Sequence, residues 1–174
     1  MNIANILTVF RIFLIPIFIL LFFSNYNNNL LYSIIVFFIS GITDVLDGYL
    51  ARKYNLITKL GIVLDPLADK LMLLTVLGCL SFSNIIPQWI LIVVALKEFI
   101  MIIGGGILYN KNFVIPSNKF GKISTLMFYI SILLIGINKK YGHYLLYIAV
   151  ISTVMAFINY LLLYLNNRAN SEAQ

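Results

Sequence analysis

Six long apolar runs separated by short polar breaks organise the chain. They cover approximately residues 5–24, 30–51, 61–82, 87–108, 120–138 and 143–166. An α-helix needs roughly 20 apolar residues to cross the hydrocarbon core of a bilayer, where backbone groups must be bonded within the segment. The breaks at 25–29, 52–59, 83–87, 109–119 and 138–142 carry the polar and turn-forming residues that end helices. The pattern predicts an all-α integral membrane fold of six transmembrane helices, in one domain over residues 1–174. No repeat or low-complexity linker interrupts it. The first run has neither a basic leader nor a small-residue cleavage site, so it is expected to be retained and not removed as a signal peptide. Residues 1–6 could lie along the membrane surface before the chain turns inward.

Composition strengthens this reading. Of the 174 residues, 61% are hydrophobic and 10% charged, with a mean hydropathy of +0.99. A soluble domain carries about 25% charged residues. The net charge of +6 forms no basic face of the kind nucleic acid requires, because the cations gather at the ends of the apolar runs. Arg52, Lys53, Lys59, Lys111, Lys119, Lys122 and Arg168 fall on one side of the expected membrane, and only Lys139 and Lys140 fall in the loops on the other. The positive-inside rule then puts both termini of a multi-pass cell-membrane protein in the cytoplasm. The single cysteine, Cys79, excludes an internal disulfide framework. His143, alone beside a helix end, is read as structural.

Candidate chemistry changes the picture most. Four of the six acidic residues lie between positions 44 and 69: Asp44, Asp47, Asp65 and Asp69. Carboxylates in or beside lipid are costly, so they are expected to face an interior cavity and to be functional. Asp44 and Asp47 are about 60° apart around a helix, and Asp65 and Asp69 about 40°, so each pair shares one face. The link between the two runs is short, which makes the helices antiparallel neighbours and lets the four carboxylates converge near the cytoplasmic boundary. Structural ion pairs with Arg52, Lys53, Lys59 and Lys70 are the bland alternative. Converging like charges need cations between them. Hard oxygen ligands without His or Cys suit two divalent ions, Mg²⁺ or Mn²⁺, and argue against zinc. Such a pair would clamp a displacement at phosphorus. Gly48 and Gly61 would let substrate or a neighbouring backbone approach closely, or serve helix packing and a helix start. Arg52 could grip a phosphate or act as an interfacial anchor.

Written out, the stretch reads Asp44-x2-Asp47-Gly48-x2-Ala51-Arg52-x8-Gly61-x3-Asp65-x3-Asp69. Without a gap, it resembles the signature of the CDP-alcohol phosphatidyltransferases. Eight residue types are fixed, and the chance of such a match is on the order of 10⁻¹⁰ per start position at ordinary residue usage. Asn5-x-x-Thr8-x-x-Arg11 resembles the opening of the family's bacterial phosphatidylglycerophosphate synthases, and length and layout are similar too. The resemblance implies a homodimeric six-helix membrane enzyme that moves a phosphatidyl group from CDP-diacylglycerol to an alcohol. It also implies residue roles. Asp44, Asp47 and Asp65 would ligate metal, and Asp69 would ligate metal and take the proton from the acceptor. Gly48, Ala51 and Arg52 would lie against the CDP moiety, and Thr8, Asp44 and Gly61 are placed with them.

The acceptor is chosen outside this signature. Glycerol 3-phosphate is favoured, and its phosphate needs cations: Lys97, Lys119, Lys122 and Arg11 are the candidates. Lys97 lies deep in an apolar run, where a lysine is costly, and its neighbour Glu98 is about 100° away around the helix, so the two need not pair. Similar synthases often carry Arg-Glu where this chain has Lys97-Glu98, and lysine lacks the bidentate fork. Gly121-Lys122-x-x-Thr125 resembles both these synthases and the related cardiolipin synthases, for which phosphatidylglycerol would be the acceptor. Inositol phosphate is a third option. Gly104, Gly105 and Gly106 fit close helix packing or room for a second lipid. A cation transporter would spread its carboxylates through the membrane depth, whereas these cluster on two adjacent helices.

Overall fold

In the computed structural model, the six apolar runs become six helices: α1 (Ile3–Phe22), α2 (Asn29–Lys53), α3 (Lys59–Phe82), α4 (Gln88–Asn110), α5 (Lys119–Ile137) and α6 (Lys139–Glu172). The structure describes the backbone of residues 3–54, 59–110 and 119–172. It describes the side chains of 6–51, 53–54, 61, 64–103, 121 and 123–162. Two helices among the described residues, Asn29–Ala51 and Lys139–Leu162, are long and apolar enough to cross a membrane. The apolar stretches Ile6–Phe22 and Ile123–Ile137 are shorter, and α3 carries Asp65, Asp69 and Lys70 within its first half. α1 is one helix from Ile3 onward, so residues 3–6 continue its axis and form no separate surface segment.

The chain divides into two compact units, residues 1–91 and 92–174. In the first, α1 packs on both α2 and α3, which also touch each other. One stripe of α1 is buried: Thr8, Arg11, Leu14, Phe18 and Phe22, at the three- and four-residue spacing of a single helix face. α2 turns Ser33, Phe37, Ser40 and Asp47 inward, and α3 turns Ala68, Met72, Val76 and Leu80. The residues of the candidate site, Thr8 with Arg11, Asp44 with Asp47 and Asp65 with Asp69, lie at one end of each helix. They fall early in α1, late in α2 and early in α3. Helices that alternate in direction bring those three ends together. Asn29 fixes the first reversal, its Nδ2 donating to the carbonyls of Phe22 (3.0 Å) and Ser24 (3.1 Å). α3 ends at Asn84, which takes a left-handed φ of 55°. There the Ile85 amide donates to the Leu80 carbonyl (2.9 Å) and the Asn84 amide to that of Ser81 (3.0 Å), the paired bonds of a Schellman cap.

In the second unit, α5 and α6 form a closely packed hairpin. Asn138 alone separates them, and its Oδ1 accepts the Lys140 amide at 3.1 Å, an N-cap interaction. This cap corrects the expected break at 138–142: α6 already begins at Lys139. Gly142 permits the tight return, since a Cβ there would lie 2.5 Å from the Ile135 backbone nitrogen. Phe128, Ile132 and Ile135 of α5 and Leu146, Ala149 and Val150 of α6 are buried.

Candidate active site

The polar ends of α1, α2 and α3 meet around Arg11. Its side chain is wholly buried, which no arginine tolerates without compensating anions. Nη1 pairs with Asp44 Oδ1 at 2.8 Å, and Nη2 reaches Asp47 Oδ2 at 3.5 Å. Nη1 also donates to the backbone carbonyl of Asp65 at 3.3 Å. One turn earlier on α1, the Thr8 hydroxyl lies 3.2 Å from Asp47 Oδ2 and hydrogen-bonds Asp65 Oδ1. A hydroxyl has one proton to give, so Thr8 serves the two carboxylates alternately. α1 therefore ties the aspartates of α2 to those of α3.

A cavity of about 700 Å³ opens beside this cluster, lined by Asp44, Val45, Asp47, Gly48, Tyr49, Lys53 and Asp65. Asp44 keeps 41% of its side chain exposed there, against 3% for Asp47. Gly48 meets no atom within 4 Å of where a Cβ would stand. Among the described residues, no helix packs against it. It leaves backbone open to the cavity.

Of the residues marked out by the sequence, Thr8, Arg11, Asp44, Asp47, Gly48 and Asp65 come together here. Asp69 is half-buried one turn beyond Asp65 on α3, and Gly61 is buried one turn before it. Ala51 is half-buried near the end of α2. The side chains of Arg52, Lys119 and Lys122 lie outside the described residues, as do those of Gly104, Gly105 and Gly106. Lys97 belongs to the second unit, where its Nζ lies 2.6 Å from Glu98 Oε1. The two neighbours do pair, because long flexible side chains bridge the 100° between their Cα directions.

Tyr49 and Lys53 are residues that sequence reasoning missed. The sequence marks Lys53 as an inside charge or an ion-pair partner of the aspartates, yet it lines the cavity with its Nζ 5.6 Å from the Tyr49 ring centroid and 5.7 Å from that of Tyr54. The four-residue spacing of Val45, Tyr49 and Lys53 was the available signal.

Residues 1–155 match the CDP-alcohol phosphatidyltransferase family. The chain belongs to that family. It is 35% identical to the CDP-diacylglycerol–glycerol-3-phosphate 3-phosphatidyltransferase of Haemophilus influenzae, across 92% of this chain and 91% of that one. Proteins of the same name from Rickettsia typhi (33% identical; 90% and 88% covered) and Bacillus subtilis (36%; 71% and 70%) are similar too. The chain is thus a phosphatidyltransferase of a membrane-embedded family whose members use divalent metals.

The residues fit such ions. Among the described residues, Asp47 Oδ1 is buried without a hydrogen-bond partner, a costly condition for a carboxylate oxygen that a cation would relieve. The clustered side-chain donors are oxygens, as Mg²⁺ and Mn²⁺ prefer. Among the described residues, no three His, Cys, Asp or Glu side chains close around one point. Thr8 and Arg11 stand between the aspartates instead.

Proposed function

We propose that this protein transfers the phosphatidyl group of CDP-diacylglycerol to glycerol 3-phosphate, giving phosphatidylglycerophosphate and CMP. The carrying observation is a cavity edged by three signature aspartates, in a chain similar along about nine-tenths of its length to a transferase of that name. The protein is read as one catalytic membrane domain of six transmembrane helices. Continuity of the family match from residue 1 to 155, across both units, supports this. Both termini are placed in the cytoplasm, with the cavity at the cytoplasmic side, and the working form is a homodimer.

Asp44, Asp47, Asp65 and Asp69 are the residues that would hold two divalent ions, Mg²⁺ or Mn²⁺, which when bound neutralise the substrate diphosphate and the departing CMP. Asp69 takes the proton from the acceptor hydroxyl. The acceptor oxygen bonds to the lipid-side phosphorus as the bond from that phosphorus to the CMP oxygen breaks. Gly48 and Ala51 leave room for the CDP moiety along α2, with Thr8, Gly61 and Arg52 assigned to the same subsite. Lys97, Lys119 and Lys122 are the acceptor-phosphate candidates outside the cluster. Lys53 joins them because it lines the cavity. Arg11 is better read as a partner of the aspartates, given its two ion pairs.

The test is CMP release by purified enzyme from CDP-diacylglycerol with Mg²⁺ or Mn²⁺, offering glycerol 3-phosphate, phosphatidylglycerol or inositol phosphate. Release with glycerol 3-phosphate alone is expected. Release with phosphatidylglycerol and none with glycerol 3-phosphate would reassign the protein to cardiolipin synthesis.

A further inference from the structure

Arg11 occupies a position that the chemistry of a metal site leaves unexplained. A permanent cation sits fully buried between Asp44 and Asp47, 2.8 and 3.5 Å from their oxygens. Those are two of the carboxylates assigned to divalent ions. A guanidinium and a divalent cation at the same oxygens repel, so one weakens the hold of the other.

We infer that Arg11 is a built-in counter-ion of the metal-free enzyme, which holds Asp44 and Asp47 in place and competes with divalent cations for them. The inference rests on the reading of those aspartates as metal ligands. Three observations carry it. The first is the burial of Arg11: no solvent reaches its side chain, so the aspartates are its compensation and it is theirs. The second is its third contact, from Nη1 to the Asp65 carbonyl at 3.3 Å, which anchors the guanidinium to α3 while it pairs with α2. The third is incomplete satisfaction. Among the described residues, Arg11 Nε and Nη2 have no hydrogen-bond partner, and neither does Asp47 Oδ1. The pairing neutralises charge without saturating either side, which suits an interaction that is exchanged in use. Arg11 is thus a positioning residue. It spares the folded protein a cluster of repelling carboxylates whenever metal is absent, and it lowers metal affinity in return.

The test is Mn²⁺ binding, by calorimetry and by the electron paramagnetic resonance of free Mn²⁺, on purified wild type, Arg11→Gln and Arg11→Lys. Thermal melts are run with and without Mn²⁺. Arg11→Gln is expected to bind Mn²⁺ about tenfold more tightly, by loss of one unit of opposing charge at contact distance. Its metal-free melting temperature is expected to fall, and Mn²⁺ to restore it. Arg11→Lys keeps the charge without the fork and should have an affinity between the two. A residue that merely fills space would lower the melting temperature without tightening Mn²⁺ binding. Equal or weaker Mn²⁺ binding by Arg11→Gln therefore overturns the inference. If Arg11→Gln does not fold, Arg11→Lys decides the matter: binding tighter than wild type supports the inference, and unchanged or weaker binding overturns it. Absence of Mn²⁺ binding by wild type would sink the metal-ligand reading itself, and the inference with it.

Discussion

Asp69 and Lys53 stand on opposite sides of what a sequence can tell about a single residue. Asp69 is marked by its four-residue offset from Asp65, which puts both on one face of α3 whatever the tertiary structure. Its assigned task, accepting the acceptor's proton, leads to a firm expectation. Asp69→Asn keeps the shape and removes the base, so turnover should fall by about 10²–10⁴-fold while the protein still folds and binds some metal. CMP release at saturating substrate measures this, and near-wild-type turnover would remove Asp69 from the role. Lys53 carried no such mark, since its place on the cavity wall depends on how α2 turns against its neighbours. With Nζ over the Tyr49 and Tyr54 rings, it is a cation lining the same cavity as the aspartates. Lys53→Met should raise KM for glycerol 3-phosphate about tenfold, the worth of one charged hydrogen bond, with kcat little changed. Unaltered KM values for both substrates would return Lys53 to the anchoring role. Arg11 shows the same divide. An arginine in an apolar run signals a buried partner, but the choice between acceptor phosphate and carboxylate depends on a contact across helices that spacing along one helix cannot supply.

At the scale of elements, hydrophobic run length located all six helices, because a membrane helix must be continuous and apolar over most of its length. Their ends were less legible, being fixed by caps made of one or two side chains. The sequence pattern starts a five-residue break at Asn138, whereas its side chain begins α6 at the next residue. The cap at Asn84 can be tested directly. A β-branched residue at φ 55° is strained, so Asn84→Val should cost about 1–2 kcal/mol. Asn84→Gly should leave stability unchanged or raise it, and thermal melts in detergent distinguish the two. Gly142 belongs to the same class. Its missing side chain lets α6 approach the Ile135 backbone, and Gly142→Val should cost about 1–3 kcal/mol through overpacking. A melting temperature equal to wild type would mean that the hairpin repacks freely.

In each unit, the exposed faces are as apolar as the buried ones: Leu20 is 72% exposed and Phe82 76% in the first, and Ile137 80% in the second. Such helices are at home in lipid, where apolar surface carries no cost. The direction in which the chain crosses is a separate matter, carried by charge and by what the cavity must admit. Lys53 and Tyr54 end α2 beside the cavity, and a nucleotide diphosphate head group or a glycerol phosphate cannot pass through hydrocarbon to reach it. Both must enter from the compartment that end of α2 faces. From the seven-to-two distribution of Lys and Arg we propose that this end faces the cytoplasm. Cysteine labelling tests this. Cys79 is buried, and Cys79→Ala gives a background in which Tyr54→Cys and Lys140→Cys, both at exposed positions, report on the two sides. With a membrane-impermeant maleimide on intact cells, Lys140→Cys should react at once and Tyr54→Cys only after the membrane is opened. The reverse pattern would put the aspartate cavity on the outer face, away from cytosolic nucleotide, and would overturn the assigned orientation together with the route by which substrate reaches Asp44.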